Sequence, residues 1–228
     1  GLQLRGWLVP ADPGARHAVV LAAGIRGNRL AMCDRASFYL QRGWSVLLVD
    51  LRGTGASDGE RVSMGYHEAV DLHAWRRWLQ QRGYTAVGAH GQSLGAAAIA
   101  YSDGDWAFTV LESCYADIDE AMAARLPWLP APRVCLWPLR CCSEWLLGVD
   151  AAQLRPVDAI ADQRCPTLLL CGDADTKVGV DAGQRLLRAC PAADKRFVPF
   201  AGAGHVDLLA AAPEAMHEAL VTFVPRVE

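Results

Sequence analysis

The 228-residue chain lacks the patterns that mark several large classes of protein. It has no apolar run of the roughly 18 residues that a membrane-spanning helix needs, and no signal-peptide pattern near its start. Its net charge of −3 gives no sign of the basic surface that nucleic-acid-binding proteins usually carry. We therefore expect no nucleic-acid partner, see no indication of membrane contact and favour a cytoplasmic location. Because the chain begins with Gly1 and not with Met, a signal or anchor removed before this point stays an open alternative.

Signatures of metal sites and disulfide scaffolds are missing as well. The chain has eight cysteines, but none of them stand in the C-x-x-C spacing that is typical of zinc sites. At this length the chain is far larger than the small secreted domains that disulfides hold together. We expect most of the cysteines to be reduced thiols, and a bridge that involves Cys135, Cys141 or Cys142 is the alternative. No metal is expected.

A nucleotide cofactor is not expected either. The glycine-rich stretch 50–59 could suggest a phosphate cradle, but it lacks the Gly-Lys-Ser/Thr of a P-loop. It also does not open a helix, as the dinucleotide-binding motif does. We interpret it as a structural loop that Asp50 and Arg52 stabilise. The sequence therefore predicts a protein that works without a cofactor.

Apolar segments that alternate with helical patterns dominate what is present. Hydrophobic residues make up 52% of the chain, enough for a large core. The alternation predicts an α/β fold with a mostly parallel, doubly wound sheet, helices on both of its faces and the first strand at an edge. In the helix over 63–82, Val70, Trp75, Trp78 and Leu79 are expected to face the core. The predicted strands are 2–9, 17–23, 44–49, 85–90, 106–111, 166–171 and 195–200, and the predicted helices are 30–42, 63–82, 96–101, 182–190 and 213–224.

The stretch 115–164 interrupts this alternation. A simple fold would need one helix at that point, yet the stretch holds several prolines and Trp128, Trp137 and Trp145. We interpret it as an inserted helical cap over the carboxyl ends of the strands, with residues 1–114 and 165–228 forming the core. A long crossover with a disordered portion is the alternative. The three tryptophans are candidates for substrate binding, although core packing would explain them equally well.

The segment Gly91–Gly95 has the pattern G-x-S-x-G, with Ser93 at its centre. An apolar strand precedes it and a helix-forming run follows it, so the chain is expected to turn abruptly from strand to helix. Such a nucleophile elbow holds the serine in a strained conformation and leaves room only for small neighbours, a demand that Gly91, Gly95 and Ala96 meet. Ser93 is therefore the candidate nucleophile.

A serine hydroxyl needs a base that takes its proton, and histidine is suited to that role near neutral pH. Of the six histidines, His205 follows the last strand in a loop of small residues, at the sheet edge where sites form in such folds. An acid must orient the histidine. Asp173 and Asp175 both follow the preceding strand. We choose Asp175, which lies further along the loop, and expect Asp173 to make local turn hydrogen bonds.

The oxyanion of a tetrahedral intermediate needs two hydrogen-bond donors. The N–H of Leu94 is expected to be one of them, because the N–H groups at the start of a helix are free and the helix dipole is favourable there. The second donor is expected from the loop after the strand 17–23. The N–H of Ile25 is our first choice and that of Arg26 the second, and Arg26 is also a candidate for substrate binding.

The chain resembles the α/β-hydrolase-fold serine hydrolases. The resemblance rests on motifs that run through nearly the whole chain outside the cap: Gly24–Gly27, Asp50–Gly55, Gly91–Gly95, Gly172–Asp175 and Gly204–His205. It implies the esterase and serine-peptidase-like branch with a small cap, and it places the acid at the second aspartate of Gly-x-x-Asp, in agreement with Asp175. The order Ser93, Asp175, His205 also matches this fold.

We therefore predict a cofactor-free serine hydrolase that cleaves carboxylic esters of small molecules with an apolar group. A peptidase, amidase or thioesterase would use the same groups, and a non-catalytic binding protein that keeps the fold is an alternative of another class. A dehalogenase is disfavoured because the elbow carries serine in place of aspartate. Arg125, Arg133 and Arg140 could pair with a substrate carboxylate, but we expect them to be solvated. The oligomeric state stays open.

Overall fold

The structure is a computed structural model that describes residues 1–126, 128, 135–179 and 181–227. These residues form a seven-stranded sheet in the order β1-β3-β2-β4-β5-β6-β7. β1 pairs with β3 in antiparallel orientation at one edge, and the other neighbouring strands are parallel. The predicted α/β fold with a mostly parallel sheet is thus confirmed. The strands are β1 Arg5–Val9, β2 His17–Ala22, β3 Ser45–Asp50, β4 Ala86–Gln92, β5 Thr109–Glu112, β6 Thr167–Gly172 and β7 Lys195–Phe200.

Helices cover both faces of this sheet. Along β2, Ala18 and Val20 contact the apolar cluster under one set of helices, whereas Val19 and Leu21 contact the cluster under the other. This alternation explains why β2, β3 and β6 read as continuous apolar runs. The described helices are α1 Cys33–Gln41, α2 Glu68–Gln80, α3 Leu94–Tyr101, α4 Ile118–Ala124, α5 Trp137–Cys141, α6 Ser143–Leu147, α7 Pro156–Ala159, α8 Ala182–Ala189, α9 Leu208–Ala211 and α10 Pro213–Phe223.

The helix before the elbow is shorter than predicted; Trp75, Trp78 and Leu79 pack in or against the core as expected, but Val70 does not. α2 begins at Glu68, because the Glu68 carboxylate accepts hydrogen bonds from the N–H groups of Ser63 and Gly65, both at 2.8 Å, and holds that segment as a loop. The expectation that Val70 faces the core is wrong: it is 59% exposed. Leu72 and Leu79 are buried, and Val70 lies on the opposite side of the helix from Leu72.

Asp50 and Arg52 stabilise the glycine-rich loop, but not through each other. Asp50 accepts hydrogen bonds from the N–H groups of Arg29, at 2.7 Å, and Ala56, at 2.8 Å. Arg52 forms an ion pair with Asp71 of α2, at 2.6 Å. The loop is therefore tied to its neighbours by backbone and side-chain bonds, as the structural interpretation expects.

Four of the cysteines are buried, whereas Cys135, Cys141 and Cys142 are exposed. Cys141 and Cys142 form no disulfide within the described residues. Within the described residues, no helix is long and apolar enough to cross a membrane.

Candidate active site

The chain turns from β4 into α3 at Ser93, as the sequence predicts. Ser93 has φ 50° and ψ −101°, a left-handed conformation that non-glycine residues rarely adopt. The backbones around it approach closely. A Cβ atom on Gly91 would lie 2.3 Å from the carbonyl carbon of Gly95, and one on Gly95 would lie 2.2 Å from the carbonyl oxygen of Ala22. The small residues of the elbow are therefore required by packing, and the turn exposes the Ser93 hydroxyl at the edge of the sheet.

The structure brings Ser93, His205 and Asp175 together from three separate loops. The Ser93 Oγ lies 3.2 Å from Nε2 of His205, and Nδ1 of the same ring lies 2.8 Å from Oδ2 of Asp175. Asp175 is buried, while the His205 side chain is 19% exposed. The hydroxyl can thus donate to a ring nitrogen whose opposite nitrogen donates to a carboxylate. Among the described cavity-lining residues, His205 is the only histidine.

The Asp175 carboxylate is held as an anion by its hydrogen bonds. Its Oδ1 accepts from the N–H groups of Lys177, at 2.9 Å, and Val178, at 3.2 Å. Burial by itself raises the pKa of Asp175, but these bonds and the one from His205 outweigh it and keep the pKa below the ordinary value. Asp173 instead accepts from the N–H of Gly202 at 2.7 Å, a bond to the loop after β7 and not the local turn bond that was expected.

The backbone N–H groups of Leu94 and Ile25 are among those near the elbow that have no acceptor in the described part of the chain. Leu94 is the first residue of α3, where the helix has no internal acceptor for its N–H. The β2 loop is pressed against the elbow, since Gly95 donates to the Ala23 carbonyl at 3.2 Å and a Cβ on Gly24 would touch Cβ of Ser93 at 3.4 Å.

A cavity of about 760 Å³ opens above Ser93, between the sheet edge and the cap segment (residues 115–164). Its upper wall is aliphatic, whereas Ser93, His205 and the β2 loop form its floor. A cavity of this size and lining matches the usual dimensions of small-ligand sites. Its larger aliphatic and thioether side chains are Ile118, Met122, Leu146, Leu147 and Leu154 from the cap segment, and Ile25, Met64 and Val206 from the rest of the chain.

The three cap tryptophans are not among the described lining residues of this cavity, and their contact with a substrate stays a prediction. Trp128, Trp137 and Trp145 are 74%, 65% and 73% exposed. On the short helix α6 the neighbouring leucines Leu146 and Leu147 line the cavity, and Trp145 points to the outside. Arg26, in contrast, does line the cavity beside Ile25. Arg133 lies outside the described residues.

A buried ion-pair network lies beneath the site, and the sequence did not reveal it. Glu112, at the end of β5, accepts two hydrogen bonds from the Arg35 guanidinium, both at 2.6 Å. Arg35 also reaches Asp207, which follows His205 by two residues, at 2.8 Å. On the other side, Nε2 of His90 contacts Glu112, and Nδ1 accepts from the Tyr39 hydroxyl at 2.8 Å. The network therefore connects β4, β5 and the loop that carries His205.

Charge favours an ionised Glu112 in this network. Burial alone raises the pKa of Glu112, but His90 and Arg35 outweigh it and lower the pKa to about 2. Burial lowers the pKa of His90, which fits a neutral ring that donates from Nε2 and accepts at Nδ1. The Ser93 N–H donates to the backbone carbonyl of Glu112 at 2.8 Å, so the network also holds the elbow.

Ser113 is a second feature that sequence reasoning missed. It follows Glu112 with φ 49°, lines the cavity, and its buried hydroxyl has no hydrogen-bond partner within the described structure. Its position at the carboxyl end of β5 is the one signal that could have pointed to it. In the described part of the chain no group of histidine, cysteine and acidic side chains could hold a metal ion.

Comparisons with known proteins agree with this architecture. A family model described as X-Pro dipeptidyl-peptidase (S15 family) matches residues 9–110. The uncharacterized protein Rv2307c of Mycobacterium tuberculosis (strain ATCC 25618 / H37Rv) is 30% identical over 213 residues, which cover 91% of this chain and 69% of that protein.

Two solved structures show the same fold. The Pyrococcus furiosus esterase Pf2001 superposes with a TM-score of 0.78 at 24% identity, over 98% of this chain and 86% of the other. The Paleococcus ferrophilus monoacylglycerol lipase superposes with a TM-score of 0.71 at 20% identity, over 97% of this chain and 99% of the other. The chain therefore belongs to the family of the mycobacterial protein Rv2307c and has the α/β-hydrolase fold.

Proposed function

We propose that the protein hydrolyses carboxylic esters of small molecules, with Ser93 as nucleophile, His205 as base and Asp175 as the acid that orients it. The observation that carries the proposal is the unbroken chain of hydrogen bonds from the Ser93 hydroxyl through the His205 ring to the Asp175 carboxylate. This chain ends at the floor of an apolar cavity large enough for a small ester. The esterase and the monoacylglycerol lipase among the similar structures are consistent with this bond type.

In the acylation step the Ser93 oxygen attacks the ester carbonyl while its proton passes to Nε2 of His205. The negative charge that develops on the carbonyl oxygen is stabilised by the N–H groups of Leu94 and Ile25. His205 then returns the proton to the departing alcohol oxygen, and the C–O bond of the ester breaks. In the second step a water molecule gives its proton to His205 and attacks the acyl-enzyme, which releases the acid and restores the Ser93 hydroxyl.

The orientation of the ring supports these roles. Asp175 accepts from Nδ1 of His205, so the neutral ring has its lone pair on Nε2, the nitrogen that faces Ser93. The carboxylate also stabilises the imidazolium that forms in each transition state. Each lost oxyanion donor would cost about 3 kcal/mol of transition-state stabilisation, so the loop that carries Ile25 also contributes to the rate.

The cavity wall supports an apolar acyl or alcohol group. Eight larger aliphatic or thioether side chains line the cavity, so an alkyl chain would bury apolar surface there at a gain of about 25 cal/mol per Å². The cap segment, proposed as an insertion over residues 115–164, supplies five of these side chains.

A second candidate is cleavage of a peptide bond after proline, because the matched family model carries that description. The match over residues 9–110 includes Ser93, but it ends before Asp175, His205 and the whole cap segment. The family match therefore covers the part of the chain that carries the nucleophile, but not the cap segment, which supplies much of the cavity wall. The aliphatic wall favours an ester.

A substrate panel with matched variants tests the proposal. We expect the wild type to hydrolyse 4-nitrophenyl esters of short to medium acyl chains faster than dipeptidyl X-Pro 4-nitroanilides. Ser93→Ala should lower kcat for the esters at least about a thousandfold, and Ser37→Ala, an exposed serine on α1, should leave it unchanged. Faster cleavage of the X-Pro anilides would establish the second candidate, and full ester turnover by Ser93→Ala would refute both.

A further inference from the structure

The cavity wall carries more positive than negative side chains. Arg26, Arg125, Arg140 and Lys177 line it, and Asp207 is the one acidic residue among the described lining residues. Asp207 is already paired with the buried Arg35. Arg140 is likewise paired, with Asp119 at 2.5 Å. The positive charges of Arg26, Arg125 and Lys177 therefore have no acidic partner among the described lining residues.

Arg125 is fixed in place without a carboxylate partner. It ends α4, and its Nη1 donates to the Ala121 carbonyl at 2.7 Å and to the Lys177 carbonyl. Its Nε and Nη2 groups have no acceptor in the described part of the chain, and it forms no ion pair there. Arg125 is exposed, as expected, and two neutral carbonyls replace part of its hydration.

The surroundings of Arg125 also affect its pKa. Burial lowers the pKa of Arg125, and the negative charge of Asp175 only partly opposes the effect. Arg125 is nevertheless exposed, lines the cavity and forms no ion pair within the described residues. A ligand can supply an anion to it, since a guanidinium with free N–H groups is well suited to bind a carboxylate or phosphate.

Lys177 lies next to Arg125 and is tied to the same loop. Its N–H donates to Asp175 at 2.9 Å, and its carbonyl accepts from Arg125. The Lys177 side chain lines the cavity and has no ion-pair partner within the described residues. The two cations are therefore held on one part of the wall, close to the acid of the proposed triad and a short distance from His205.

We propose that the substrates of this site are amphiphilic esters that carry an oxyanion, a carboxylate or a phosphate, in addition to an apolar chain. Arg125 and Lys177 bind the oxyanion, and the aliphatic wall of the cap segment binds the chain. This assignment rests on the proposed ester hydrolysis for the identity of the reacting bond. The cationic subsite itself is a matter of binding and can be measured separately.

Binding tests the subsite without turnover. Octanoate, octyl phosphate, octanol and octylamine share one chain and differ in the head group, so they report on the subsite whichever way the ester lies in the cavity. By calorimetry on Ser93→Ala, octanoate or octyl phosphate should bind about tenfold more tightly than octanol, with octylamine weakest. The head group of the tighter ligand distinguishes carboxylate from phosphate.

Variants locate the charge that is responsible. The double variant Arg125→Gln with Lys177→Gln should lose most of the tenfold preference for the anions over octanol. The variant in which Arg125→Lys replaces Arg125→Gln should recover part of that preference, because it restores the positive charge. Arg77→Gln removes an exposed arginine of α2 outside the cavity and should retain the full preference. Lys177→Gln alone, at an exposed position, serves if the double variant fails to fold.

Turnover then connects the subsite to the reaction. The ratio of kcat/KM for 4-nitrophenyl hydrogen adipate to that for 4-nitrophenyl hexanoate should fall in the double variant, if the anion lies on the acyl side. Equal binding of octanol and the two anions to the wild type, or a preference that the double variant keeps, would overturn the cationic subsite. Selective anion binding without any ester hydrolysis would instead refute the proposed function and leave the subsite standing.

Discussion

Glu112→Gln tests whether the buried network stabilises the site by charge. Glu112 is completely buried, and both of its carboxylate oxygens accept from Arg35 at 2.6 Å. Glutamine has the same shape, but it replaces one acceptor by an NH₂ group, which must then face either the guanidinium or the His90 ring. Arg35 would keep only Asp207 as an anionic partner, and the side chain of Asp207 is 41% exposed.

The pKa of Glu112 sets the expected magnitude. Folding lowers it from 4.5 to about 2. At roughly 1.4 kcal/mol per pH unit, this corresponds to about 3 kcal/mol of stability that the ionised carboxylate contributes at neutral pH. An independent figure agrees, because removal of one partner from a buried ion pair typically costs about 3 to 5 kcal/mol.

The stability that Glu112 contributes should depend on pH in a defined direction. Because the pKa in the folded state is depressed, the contribution is fully present above pH 4.5 and is lost as the pH falls from 4.5 towards 2. The difference in the free energy of unfolding between wild type and Glu112→Gln should therefore be about 3 kcal/mol at pH 7 and shrink on acidification. For a chain of this length the corresponding fall in Tm is roughly 6 to 12 °C.

Urea denaturation followed by circular dichroism, at pH 7 and at several lower values, measures this difference. Asp158→Asn is the matched control, because Asp158 pairs with Arg155 at the surface and its side chain is 64% exposed. We expect it to cost less than about 0.5 kcal/mol. A cost below about 1 kcal/mol for Glu112→Gln, or a cost that does not change with pH, would refute the reasoning.

Three further predictions concern the site itself. Asp175→Asn should lower kcat for ester hydrolysis about 10⁴-fold in a protein whose circular dichroism is unchanged, because the amide favours the wrong His205 tautomer; a loss below tenfold would exclude Asp175 as the acid. Gly95→Ala should destabilise the fold by about 2 kcal/mol or more in denaturant titration, since its Cβ would lie 2.2 Å from the Ala22 carbonyl oxygen, and an unchanged midpoint would contradict this packing. Trp145→Ser should leave kcat/KM within about twofold, because the side chain is 73% exposed, whereas a large change would return it to the cavity.

The sheet could be predicted because its signals are local. Apolar runs of strand length, glycines after helices and the regular alternation of the two elements each depend on a few neighbouring residues. The elbow was predictable for the same reason, since the strained turn demands small residues within five positions. Asp175 and His205 lie far from Ser93 in sequence, and their selection depended on the rule that loops at the carboxyl ends of parallel strands converge.

What the sequence did not predict depends on distant partners. Glu112 and Arg35 are 77 positions apart, and neither shows by its neighbours that it is buried and paired. Val70 was placed in the core because it is apolar, but the rotation of α2 is set by the sheet beneath it. The orientation of the cap tryptophans could not be predicted for the same reason, because large apolar residues on short helices do not reveal which face of the helix is buried.

Labelling with a fluorophosphonate probe, followed by mass spectrometry of the modified peptide, tests the proposed function most directly. We predict a single phosphonylated residue, Ser93, on the folded wild type, and labelling that is slowed at least about a hundredfold in His205→Ala because the base is missing. Labelling of a different residue, equal labelling of His205→Ala, or no labelling of a folded protein by a probe that enters the cavity would contradict the account.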